Sequence, residues 1–204
     1  MQSSASLTIS DLWIERGERD LCRGLSFDVR PGEVLRILGG NGTGKSSLLK
    51  AIVDVITPIE GTIYYLGKNV TQCRDVLIES TLYIGHAVGV KRLLSVEENL
   101  RWYCPDVSSD ELNSALEHLG LWPFRDTLVT SLSAGQTKRV ALARLWLSEK
   151  TLWLLDEPFS SLDAKGCTIL ENRIQQHVSL GGLVVLTTHQ DLRLVSARDV
   201  VLLS

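Results

Sequence analysis

The sequence predicts an α/β fold organised on a phosphate-binding loop, with an antiparallel β subdomain at its entry and a helical subdomain inserted further along. Three observations predict it. The apolar run 34–38 leads into Gly39-Gly40-Asn41-Gly42-Thr43-Gly44-Lys45-Ser46, after which Leu48, Leu49, Ile52 and Val53 fall at helical spacing as far as Thr57-Pro58. Two later runs, 152–155 and 183–188, have the composition of strands buried in a parallel sheet. Near the start, Leu7, Ile9, Leu12 and Ile14, in two short pieces, and then Leu25, Phe27 and Val29 alternate as half-buried antiparallel strands do.

The glycine-rich run fits G-x-x-x-x-G-K-[ST], whose backbone N–H groups wrap phosphate oxygens while the next helix start adds partial positive charge. Strand, loop and helix in that order are the context the motif requires. Gly39, Gly40, Asn41, Gly42, Thr43, Gly44, Lys45, Ser46 and Ser47 are therefore the nucleotide-binding candidates. Lys45 would reach the β- and γ-phosphates, and the Ser46 hydroxyl would sit on Mg²⁺.

Composition narrows the function. Over 204 residues, 21 basic side chains nearly balance 24 acidic ones, so no electrostatic footprint for nucleic acid stands out. The four cysteines are scattered without a C-x-x-C pair, as expected of reduced packing residues. No apolar run approaches the ~20 residues of a membrane span, and the first residues show no signal or Arg-rich transit pattern. Work at a membrane would then run through a partner.

Taken in order, residues 15–20 read as a polar turn between the first two strands. Pro31-Gly32 turns the chain into the strand before the loop, and residues 61–67 read as another strand. The middle third is helical. Ser95 with Glu98 opens a helix to about Tyr103, ahead of Pro105. Ser108 with Glu111 opens a second, with Leu112, Ala115, Leu116 and Leu119 on one face before Gly120. These short helices must dock on something. The expected organisation is a single domain over 1–204, with the helical subdomain at about 90–145.

Ser133 with Gln136 is a third capping box. The helix behind it carries Val140, Ala141, Leu142, Ala143, Leu145 and Leu147, apolar nearly all round and so expected to be buried. Ser133, Gly135 and the free N–H groups of that helix start form a second candidate anion site, although an ordinary capped core helix would look the same. The run 152–155 ends in Asp156-Glu157-Pro158. Asp156 can hold Mg²⁺ through water, and Glu157 can orient or deprotonate an attacking water. Ser160-Ser161-Leu162-Asp163 precedes a helix with Ile169, Leu170, Ile174 and Val178, ended by Gly181-Gly182. His189 lies just past the run 183–188, on the edge where open α/β sheets bind ligands, and reads as a γ-phosphate contact.

The order of these motifs resembles that of the ATP-binding cassette ATPases over essentially the whole chain. Residues 39–46 resemble the Walker A loop, and Leu132-Ser133-Ala134-Gly135-Gln136 resembles the LSGGQ signature with Ala134 replacing one glycine. Residues 152–157 resemble Walker B with its catalytic glutamate, 160–163 the D-loop, and His189 the switch histidine. The resemblance implies a P-loop NTPase core that hydrolyses ATP with Mg²⁺, Glu157 and His189 being catalytic. It also implies a head-to-tail dimer with a second ATPase subunit, in which Ser133 and Gly135 of one chain cap the γ-phosphate held by Lys45 of the other. Gln136 and Asp163 are carried with them as cofactor-binding candidates. His86 stands where the family usually has glutamine and is expected at the water–metal shell with Ser46 and Asp156. The adenine-stacking position falls near Arg16, so Arg16 or Trp13 is expected to take that contact.

A closer resemblance rests on Tyr83-Ile84-Gly85-His86, Gly89-Val90-Lys91, Glu98-Asn99-Leu100, Leu132 to Gln136, residues 139–147 and 151–159, and Thr187-Thr188-His189-Gln190. Together they look like the ATPase subunits of haem-exporter-type complexes in bacterial cytochrome c maturation, which share the Gly-His pair. Integral membrane subunits are then the implied partners, with this subunit peripheral on the cytoplasmic face of the bacterial inner membrane. Neither nucleic acid nor direct haem contact is expected. A soluble ATPase of the same kind, in DNA repair or translation, would usually add a coiled-coil insertion or a second cassette. A non-hydrolysing scaffold would not need Glu157 and His189.

Overall fold

The computed structural model describes residues 6–17, 19–87, 89–189 and 197–202. Strands β1 (Leu7–Arg16) and β2 (Arg19–Val29) form the expected antiparallel hairpin, but they are longer than the alternation suggested. Glu15 pairs with Asp20 and Arg16 with Arg19, so most of the segment expected as a turn continues the ladder. The apolar phase of β1 slips from odd to even positions between Ile9 and Leu12. A register shift lies there, with Asp11 at φ 48°. The inserted residue leaves Ile9 and Leu12 both in the core, making one bulged strand of the two expected pieces.

β3 (Val34–Leu38) leads into the glycine loop and α1 (Lys45–Ile52). The helix ends earlier than the expected Thr57-Pro58. Asp54 takes φ 57°, its N–H bonds the Ala51 carbonyl, and the Val55 N–H bonds the Lys50 carbonyl, a left-handed cap with aspartate where glycine is usual. Next come β4 (Glu60–Tyr65), β5 (Lys68–Asn69), α2 (Arg74–Ser80) and β6 (Thr81–Ile84). The helical stretch is α3 (Val96–Tyr103), α4 (Ser109–His118) and α5 (Ala134–Leu147), and each opens on the capping box expected of it. β7 (Leu152–Leu155), α6 (Ala164–Ser179), β8 (Leu183–Thr187) and β9 (Ala197–Val201) complete the described chain. Gln190 falls outside the described residues.

Two sheets result, an antiparallel one in the order β2-β1-β4-β5 and a parallel one in the order β6-β7-β8-β3-β9. Because side chains alternate across a strand, the parallel sheet buries both faces. Leu35, Ile37, Leu152, Leu154, Leu183 and Val185 pack with α1 and the antiparallel sheet. Val34, Ile84, Trp153, Leu155, Val184 and Leu186 pack against α5 and α6. α5 serves two cores. Its Ala141, Leu142 and Leu145 join the sheet, while Val140 and Ala143 join Val96, Leu100, Leu112 and Leu116 of α3 and α4.

Candidate functional site

β3, β6, β7 and β8 run parallel, so their C-terminal ends open on one edge. That edge borders a cavity of about 550 Å³. After β3 the loop lines it with Gly40, Asn41, Gly42 and Gly44, and α1 adds Lys45, Ser46 and Ser47. His86 lines it after β6, Asp156 and Glu157 after β7, and His189 after β8. Gly39 and Thr43 stand behind the lining, where Gly39 gives its carbonyl to Lys45 and Thr43 Oγ1 donates to the Gly40 carbonyl at 3.0 Å. Gly44 is at φ 95°, and a Cβ there would come within 2.6 Å of Leu21 Cβ, so only glycine lets the loop lie against β2.

Lys45 is buried, its Nζ donating to the carbonyls of Gly39 at 2.7 Å and Gly40 at 3.1 Å. The same ammonium lies 3.1 Å from His189 Nε2 and 3.9 Å from Glu157 Oε1. His189 Nε2 is also 3.1 Å from Asn41 Oδ1 and 3.4 Å from Glu157 Oε1. Nε2 accepts from Lys45 only in the tautomer that leaves it without a hydrogen and donates to Asn41 only in the tautomer that places one there, so the two contacts alternate with the tautomer.

Asp156 is 2% exposed. The pairing of Leu155 with Leu186 sets Thr187 beside it, and Thr187 Oγ1 donates to Asp156 Oδ1 at 2.8 Å. Asp156 Oδ2 and Glu157 Oε1 are buried with no hydrogen-bond partner. Glu157 has φ 46°, and its carbonyl accepts from Lys138 Nζ at 2.9 Å and Ser160 Oγ at 2.8 Å. Burial lowers the Lys138 pKa, opposed by the charges of Asp156 and Glu157. Burial, and then the Asp156 charge, raises that of Tyr83.

Ser133, Gly135, Gln136 and Asp163 do not line the cavity. Ser133 Oγ accepts from the Gln136 N–H at 3.2 Å, and Gln136 Oε1 accepts from the Ser133 N–H at 2.8 Å. Asp163 caps α6 through the Gly166 N–H at 2.9 Å and accepts from Arg139 at 2.8 Å. Of the two residues expected near a base, Arg16 lines the cavity with Leu21. Trp13 does not: its Nε1 donates to Asp20 at 2.6 Å, and Arg23 lies 4.4 Å over its ring. Sequence reasoning missed Leu21 and Lys138, and it placed Ser160 and Thr187 in motifs without giving either a role at the site. Aligning the ends of runs 152–155 and 183–188 would have found Thr187, and a lysine among the apolar residues of α5 was a signal for Lys138.

Residues 22–160 match the protein family described as ABC transporter. The chain belongs to the ABC transporter family. ABC transporter ATP-binding proteins are ATPases, so the chain is an ATP-binding, ATP-hydrolysing protein. The chain is 46% identical over 186 residues to the Salmonella typhi cytochrome c biogenesis ATP-binding export protein CcmA, covering 91% of this chain and 90% of that protein. The protein of the same name from Vibrio parahaemolyticus is 46% identical over 190 residues, covering 91% and 93%. The solved structure of a putative ABC transporter ATP-binding protein from Pyrococcus furiosus has the same fold, with a TM-score of 0.83 at 24% identity and 96% of each chain covered.

Proposed function

We propose that the chain is the MgATP-hydrolysing subunit of a membrane complex for c-type cytochrome biogenesis, peripheral on the cytoplasmic face of the bacterial inner membrane. Support for the process comes from relatives named for ATP-binding export in cytochrome c biogenesis, 46% identical over 91% of the chain. The catalytic part rests above all on one observation. Asp156 Oδ2 and Glu157 Oε1 are buried carboxylate oxygens without hydrogen-bond partners, beside the cavity that the glycine loop lines, although the Lys45 ammonium stands 3.9 Å from Glu157 Oε1 and the His189 ring 3.4 Å. Such oxygens are costly unless a ligand, an ion or a reacting water completes them.

The donor set fits Mg²⁺, a hard cation that takes one or two carboxylates and fills its remaining positions with water and phosphate oxygens. Asp156 Oδ2 and the Ser46 hydroxyl would hold it, with His86 reaching its waters. When bound, it would neutralise charge developing on the transferred phosphoryl group. Lys45 would exchange the Gly39 and Gly40 carbonyls for phosphate oxygens, a stronger charge-assisted contact. Glu157 would orient the attacking water and take its proton, and His189 would contact the γ-phosphate. Arg16 is proposed to stack on the base.

Ser133, Gly135, Gln136 and Asp163 are proposed to close on the nucleotide of a second ATPase subunit arranged head to tail. Their place outside the chain's own cavity supports that reading. Among the described residues no helix is long and apolar enough to cross a membrane, and integral subunits are the proposed route to the bilayer. The exposed Leu93 and Trp102 are the proposed surface for them. The nucleotide assignment is tested by equilibrium binding of a fluorescent ATP analogue to Lys45→Ala. Removing a charge-assisted contact of about 1.5–3 kcal/mol should weaken binding about 10- to 100-fold. Unchanged binding would overturn the assignment.

A further inference from the structure

Glu157 occupies the left-handed region at φ 46°. A residue with a Cβ enters it at a cost of about 1 kcal/mol and persists there only where its surroundings hold it. Its N–H donates to Thr187 Oγ1 at 2.8 Å, and its carbonyl accepts from the Ser160 N–H at 3.2 Å and Ser160 Oγ at 2.8 Å. Those partners come from β8 and from the turn after β7. The fourth comes from elsewhere. Lys138 Nζ reaches across from the second turn of α5 to donate to the same carbonyl at 2.9 Å.

Lys138 is 5% exposed. Burying an ammonium costs several kcal/mol unless it is paired, and an apolar side chain would serve packing alone at that position. We infer that Lys138 is a positioning residue for the hydrolytic carboxylate: it fixes the main chain of Glu157 and ties that residue to the first two turns of α5. The inference rests on the reading of Glu157 given above. Two further contacts join these turns to the segment after β7. A Cβ on Gly135 would stand 2.9 Å from the Ser161 carbonyl oxygen, so the backbones approach closely there. Arg139 donates to Asp163 at 2.8 Å. A displacement of residues 133–136 would therefore reach Glu157 along the start of α5, with Lys138 as the link that touches it.

The experiment is steady-state ATP hydrolysis by the full chain carrying Lys138→Met, which keeps the apolar stem, and Lys138→Arg, which keeps the charge. Each is also placed in a Glu157→Gln background. Lys138→Met should lower kcat about 10- to 100-fold, the range set by losing one charge-assisted hydrogen bond. KM for ATP should stay within about threefold, since the phosphate loop is untouched. Lys138→Arg should restore most of kcat. In the Glu157→Gln background Lys138→Met should add almost nothing, because the two residues act as one unit. If the methionine variant unfolds, Lys138→Gln takes its place with the same expected split. Wild-type kcat without the ammonium, or an equal loss with and without Glu157, would overturn the inference while leaving the ATPase reading intact. Wild-type turnover by Glu157→Gln alone would remove the reading of Glu157 and the inference with it.

Discussion

His177 lies flat on the indole of Trp153, with ring centroids 3.6 Å apart and 5° from parallel, and its Nε2 donates to the Thr151 carbonyl at 3.1 Å. Burial, the largest cause, pushes its pKa from 6.5 down to about 4, and the charge of Arg173 adds to the effect. For a base, a folded pKa below the unfolded one means that folding favours the neutral ring. Between about 6.5 and about 4 the unfolded chain binds a proton that the folded chain does not. Its contribution is complete above that window and is lost as pH falls through it. Urea midpoints should fall from pH 6.5 towards 4.5, and His177→Phe, which keeps a ring on Trp153, should flatten the curve. A parallel fall in the variant would assign the effect to other groups. Glu97 does not confuse the test. Hydrogen bonds from Arg125 and then Arg101 hold its pKa at about 2, so its contribution is lost only at lower pH. At this scale the sequence showed the residues that belong to a local motif, such as Lys45, Ser46, Asp156 and Glu157. The contacts of Lys138 and Thr187 were hidden because their partners come from other elements, 19 and 31 residues away along the chain.

Elements were legible where their signals are short-range. Ser95, Ser108 and Ser133 each accept from the N–H three residues on, and all three caps could be read directly. The runs 152–155 and 183–188 were equally clear, because burial on both faces leaves 152–155 and 183–186 apolar at every position. By contrast α2 has only Leu77 buried, so no apolar stripe announces it. The bulge in β1 was visible only as a change of phase, and its meaning depends on a partner strand. Gly61 shows that dependence. It sits at φ 89°, and a Cβ there would lie 2.5 Å from the Asp11 carbonyl oxygen and 2.6 Å from Leu12 Cα, both backbone atoms that cannot swing aside. Gly61→Ala should therefore cost about 2 kcal/mol or more in urea unfolding, well beyond an ordinary surface substitution. A cost within about 0.5 kcal/mol would show that β1 and β4 can separate at the bulge.

Across the whole molecule, the parallel sheet gathers the loop after β3, the carboxylates after β7 and His189 after β8 on one edge. The antiparallel sheet brings Arg16 and Leu21 to the same cavity. α5 joins the helical layer to the sheet and carries Ser133, Gly135 and Gln136 at its exposed start. The fold class was legible because the glycine loop fixes one strand–helix unit and the later apolar runs supply its neighbours. The order of strands was not, since pairing β3 between β8 and β9 depends on contacts distant in sequence.

The central claim is that ATP turnover at this cavity drives the biogenesis of c-type cytochromes. Its most direct test replaces the chain with Lys45→Ala in a bacterium that makes them, and periplasmic proteins are then stained for covalently attached haem. The expected result is apo-cytochrome c at normal abundance with covalent haem lost, other haem proteins being unaffected. Cytochromes c carrying normal covalent haem, in cells whose only copy of the chain is the Lys45→Ala protein, would contradict it.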